Sequence, residues 1–79
     1  MIHPETLAQL LKDAFTQAHV EIFDKTGGQD HYIVYIRSSD FAGKASLAQH
    51  RLVQKVLAPL MASGELHAAE IKTAIPEQA

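Results

Sequence analysis

The stretch His31-Tyr32-Ile33-Val34-Tyr35-Ile36-Arg37 limits the fold more than any other part of the chain. It is rich in β-branched and aromatic residues, which favour strands. Tyr32, Val34 and Ile36 fall on one alternating face, and His31, Ile33, Tyr35 and Arg37 on the other. Both faces are largely apolar, so the run is expected at the centre of a sheet. Upstream, Val20 and Ile22 alternate with His19, Glu21 and Phe23, which predicts a shorter strand. Between the two runs, Asp24 to Asp30 contains Gly27-Gly28, which supplies the backbone freedom for a reversal, and the pair reads as a hairpin.

Helical spacing flanks the hairpin. Pro4 suits a helix first turn, and Leu7, Leu10, Leu11, Ala14 and Phe15 form one apolar stripe along a helix of about fifteen residues, with Lys12 and Asp13 solvated. Ser38 to Lys44 is a turn-rich connector that Phe41 anchors to the core and Gly43 relieves. Leu47, His50, Val53, Leu57, Leu60 and Met61 then recur at helical spacing, widened by Leu52 and Val56. Pro59 predicts a break near Leu57, with a short second helix or turn from Ala58 to Ser63, and Gly64 is a helix stop. Leu66 to Ala74 reads as a third strand, ended by Pro76 and followed by a frayed Glu77-Gln78-Ala79. The expected architecture is α+β, a three-stranded sheet with helices on one face, in one domain spanning residues 1–79.

Composition removes several function classes. The chain has 79 residues and no cysteine, so disulfides, thiol nucleophiles and thiolate ligands from this chain are excluded. Its five histidines are the strong nitrogen ligands that remain. A formal charge of −2 argues against strong, nonspecific polyanion binding. Lys44, Arg51 and Lys55 nonetheless make a possible basic patch, weak and salt-sensitive toward DNA. There is no P-loop, dinucleotide fingerprint or paired-carboxylate spacing, so the chain is expected not to be an enzyme. The N-terminal Met1-Ile2-His3-Pro4-Glu5 does not read as a secretory signal, and no apolar run reaches the roughly 18–20 residues of a membrane span. The expected location is cytoplasmic.

Three segments resemble the BolA family. Phe41-Ala42-Gly43-Lys44 is similar to its F-x-G-K turn, Leu47 to Val53 to its helix core, and Leu66-His67-Ala68-Ala69-Glu70-Ile71-Lys72-Thr73, followed by Pro76, to its signature segment. Gln49, where many members carry Arg, resembles the short IbaG-like bacterial subgroup. Many members also carry an aromatic residue just after the terminal Pro-Glu or Pro-Ala, where this chain has Gln78-Ala79.

The resemblance implies an αββααβ fold with a mixed sheet, class II KH-like. It also implies a monothiol CGFS glutaredoxin as partner and a shared [2Fe-2S] cluster. His67 matches the family's last-strand histidine, and His31 is the natural match for a second ligand beside the hairpin loop. A [2Fe-2S] centre needs four ligands, so a glutaredoxin cysteine and its glutathione would supply the two sulfurs this chain lacks. Some family members are linked to transcription control, DNA binding or stress responses, which makes a DNA-binding regulator the alternative. A homodimer without cluster, through the hairpin or a sheet edge, is a further possibility.

Overall fold

The hairpin sits at the centre of the computed structural model, which describes residues 2–28 and 31–75. Strand β1 (His19–Asp24) runs antiparallel to β2 (His31–Arg37), with Val20 opposite Ile36 and Ile22 opposite Val34. Strand β3 (Ala68–Ala74) lies on the other side of β2 and parallel to it, giving a mixed sheet of order β1-β2-β3. β2 is therefore the central strand, as its two apolar faces require. Gln29 and Asp30, and the expected strand stop at Pro76 with the tail after it, lie outside the described residues.

Helices cover one face of this sheet. Helix α1 (Pro4–Ala14) contributes Leu7 and Leu11, and helix α2 (Ser46–Ser63) contributes Val53 and Leu57, all buried against Tyr32, Val34 and Ile36. Each such side chain contributes about 1.5–3 kcal/mol by leaving water. Between β2 and α2, a 3-10 turn (Ser39–Phe41) drops Phe41 fully into the core, 5.4 Å from the ring of Phe15. Gly43 follows with a φ of 76°, the left-handed conformation that glycine adopts without penalty.

Four local expectations are corrected. Helix α1 spans 11 residues rather than about fifteen, because Phe15 leaves helical geometry to enter the core and Gln17 takes a φ of 50°. Pro59 does not break the second helix, which is continuous over Ser46–Ser63, so the order over the described residues is α-β-β-α-β with a 3-10 turn before α2. Pro59 and Lys55 are both exposed, so the carbonyl that the proline cannot serve belongs to a solvent-facing turn.

The buried stripe of α2 is Gln49, Val53 and Leu57, whereas Leu47 and Met61 are exposed. At 100° per residue, Met61 and Leu47 stand about 80° and about 120° round the helix from Val53, on the side away from the core. Finally, β3 begins at Ala68 rather than Leu66. Leu66 is buried, and its amide donates to the Leu60 carbonyl at 3.1 Å, which ties it to the end of α2 instead of the sheet ladder.

Candidate functional site

Strand register brings the backbones of His31 and His67 to one end of the sheet. His31 opens β2 and is the direct partner of Ala68, the first residue of the parallel neighbour β3; His67 immediately precedes Ala68. Both histidines are exposed, and each is next to a fully buried residue, Tyr32 or Leu66. The exposed imidazoles thus hang from a fixed backbone.

The N-terminal segment stitches the two supports together. The Ile2 amide donates to the Glu65 carbonyl at 2.9 Å, and the Tyr32 hydroxyl donates to the Ile2 carbonyl at 2.8 Å. On the hairpin side, the Lys25 amide donates to the His31 carbonyl at 2.8 Å, extending the β1–β2 ladder by one step. The Asp24 carboxylate accepts from the Gly27 amide at 3.0 Å, and the Thr26 hydroxyl accepts from the Gly28 amide at 3.2 Å, holding the start of the loop in a side-chain-supported turn. The family resemblance singled out the two histidines but gave no sign of Ile2 and Tyr32 as their support. Tyr32 was legible only as a core residue, and Ile2 lies outside any periodic run.

Beside His31 is a small cleft of about 130 Å³ lined by Lys25, His31, Tyr32, Ala68, Ala69 and Glu70. Lys25 donates to the Glu70 carboxylate across its rim at 2.9 Å. That hydrogen bond, then the Lys25 charge itself, holds the Glu70 carboxyl below its ordinary value of 4.5 against an opposing desolvation; Lys72 and His31 add smaller electrostatic contributions. Among the described residues, no three of His, Cys, Asp and Glu come together as a metal site. What this end of the sheet offers a metal is two imidazole side chains.

The other candidate residues lie apart from this end. Lys44 precedes α2, Arg51 and Lys55 sit one turn apart along it, and all three are exposed. The half-buried His50 also lies on α2. No helix of the described residues is long and apolar enough to cross a membrane.

Gln49 matters in a way the sequence reading did not foresee. It is buried, donates to the Lys44 carbonyl at 2.7 Å and accepts from the Thr73 hydroxyl at 2.6 Å, joining the F-x-G-K-like turn to the last strand.

Comparison with known proteins agrees with this fold. The chain is 36% identical over 72 residues to an uncharacterised protein of Rickettsia prowazekii, covering 91% of this chain and 92% of that one. The solution structure of a BolA-like protein from the same organism superimposes with a TM-score of 0.72 at 34% identity, covering 96% of this chain and 97% of that one. The BolA domain of SufE1 from Arabidopsis thaliana gives a TM-score of 0.79 at 26% identity, over 92% of this chain and 91% of that one. A family profile described as BolA-like protein matches residues 11–78, the stretch that contains the whole sheet, α2 and both site histidines, and the chain belongs to that family.

Proposed function

We propose that this chain is the partner of a monothiol CGFS glutaredoxin, with which it shares a [2Fe-2S] cluster for iron–sulfur trafficking or iron and redox regulation. His67 and His31 are its ligands. Membership of the BolA-like family supports a regulatory or scaffolding role rather than a catalytic one, and a general link to iron–sulfur handling. The observation that carries the assignment to these two residues is the register His31 to Ala68, which brings both histidines to one exposed sheet end.

The donor chemistry fits. Neutral imidazole offers a nitrogen lone pair, and buried Tyr32 and Leu66 keep the two backbones from drifting apart. With no cysteine in the chain, the second iron would take its two sulfurs from the glutaredoxin cysteine and glutathione. A bound cluster would supply one-electron chemistry or travel onward as cargo. The residues of this chain bind and orient it.

The test is the visible absorption spectrum of the cluster assembled with the glutaredoxin. His67→Ala is expected to lose or strongly alter the wild-type bands while its urea midpoint stays unchanged, because His67 is exposed. An unchanged spectrum for His67→Ala would remove it as a ligand, and the same readout decides His31→Ala.

The second reading, a DNA-binding regulator using a class II KH-like surface, is favoured by the exposure of Lys44, Arg51 and Lys55 around the first half of α2. It requires duplex affinity that falls steeply with salt and drops in the Arg51→Ala, Lys55→Ala double variant. Absence of binding at low salt sinks it. Compartment follows from the partner, and a cytoplasmic location is part of the same proposal.

A further inference from the structure

The sheet has a second face, turned away from both helices, whose β3 column is self-complementary in charge. Along β3 it reads Ala68, Glu70, Lys72, Ala74, and along β2 it reads His31, Ile33, Tyr35, Arg37. Register places Glu70 beside Ile33 and Lys72 beside Tyr35, with Phe23 and Glu21 completing those two rows on β1. The apolar centre is unusually open: Phe23 is 52% and Tyr35 40% exposed. Their rings meet edge to face at 5.5 Å, and the Lys72 ammonium lies 5.8 Å from the Tyr35 ring centre.

We propose that this face is the docking surface for a second copy of the chain, related by a two-fold axis that lies in the contact plane and crosses the strands between the Tyr35 and Ile33 rows. Such an axis reverses each strand over its own counterpart. The β3 column then meets itself inverted, so that Lys72 faces Glu70 of the second copy, Glu70 faces its Lys72, and the two alanines face one another. Along β2, Tyr35 covers Ile33 of the second copy. A depression of about 350 Å³ lined by Glu21, Phe23, Ile33 and Tyr35 is available to receive that ring.

The charge order selects this occupant over others. Glu21 and Glu70 alternate with Lys72 and Arg37, which leaves no continuous positive track for a polyanion. A two-fold contact must instead be complementary to its own inversion, and the Glu70–Lys72 pair meets that condition on β3, where Glu70 also keeps its bond from Lys25 of the same chain, while on β1 Glu21 meets Phe23 of the second copy.

Size sets the strength. Three strands about 4.8 Å apart, one of six residues and two of seven at about 3.3 Å each, present roughly 300 Å² of face. A standard interface takes about 800 Å² per partner. The dimer is therefore weak, in rapid exchange, and formed at high protein concentration.

Sedimentation equilibrium of the full chain, from micromolar to millimolar concentration, tests this with charge reversals on exposed positions. Wild type is expected to climb from the monomer mass toward twice that value. Lys72→Glu alone and Glu70→Lys alone each set like charges face to face and return the protein to monomer. The double variant Glu70→Lys, Lys72→Glu restores the alternation and with it the dimer. An equimolar mixture of the two single variants associates more tightly than wild type. A wild-type chain that stays monomeric at millimolar concentration overturns the proposal. So do single reversals that leave association untouched, or a double variant that fails to rescue it.

Discussion

Among single residues, Glu70 has a titration with a definite sign. Its carboxyl is held below 4.5 first by the hydrogen bond from Lys25 and then by that residue's charge. The folded protein consequently binds fewer protons at this position than the unfolded chain. Its stabilisation is present above pH 4.5 and is lost as pH falls through the lower folded value. Both side chains are about half exposed, so solvent screening keeps the effect on stability small. Lys25→Ala is expected to raise the Glu70 midpoint toward 4.5, as followed by the carboxyl carbon shift in an NMR titration. A midpoint that does not move would show that Lys25 is not the cause. Gln49 is the opposite case, a buried amide whose oxygen and nitrogen are both used. Nothing in its helical position distinguishes it from Gln54, which is exposed.

Among the elements, α2 runs through a proline that the sequence reading treated as a break. An interior proline disfavours helix by about 3 kcal/mol relative to alanine, while it stiffens the unfolded chain by about 0.4–1 kcal/mol in the other direction. Pro59→Ala is therefore expected to stabilise the protein by about 2 kcal/mol. Urea unfolding should show a higher midpoint at unchanged slope. No gain would mean that the helix end already relaxes around the ring.

The strands were far more legible than this helix. β1 follows from alternation and β2 from its run of β-branched and aromatic residues, and the centrality of β2 from its lack of a polar face. Alternation failed at Leu66, where the side chain turns into the core under the end of α2, a tertiary demand that no two-residue period encodes. Helical spacing in turn overreached at Leu47 and Met61, which lie on α2 round from its buried stripe and stay exposed. The candidate site was half legible. All five histidines offer a nitrogen donor and the family resemblance chose His31 and His67 among them, yet their sharing one end of the sheet depends on the parallel register of β3, which is set by the crossover through α2 and not by either strand alone.

For the molecule as a whole, the two proposed associations share ground. His31 stands on the helix-free face of β2, in the column that the second copy would cover, with Arg37 of that copy set over it by the same two-fold. A cluster held through His31 and a face-to-face dimer therefore exclude each other, and the monomer is the form competent to receive the glutaredoxin. Apparent affinity then falls in proportion to the monomer fraction: at a concentration where half the chains are paired, the apparent Kd is about two-fold weaker. Cluster assembly titrated with glutaredoxin at millimolar protein is expected to need more partner for wild type than for Lys72→Glu, which stays monomeric and leaves both histidines in place. The two proteins should converge at micromolar concentration, where neither is paired. Native mass measurement across the titration should show the homodimer giving way to a one-to-one heterodimer. A stable species with two copies of this chain stacked through the sheet and a cluster on His31 would break the link between the two surfaces. Identical titrations at millimolar concentration, with wild type shown to be dimeric, would do the same.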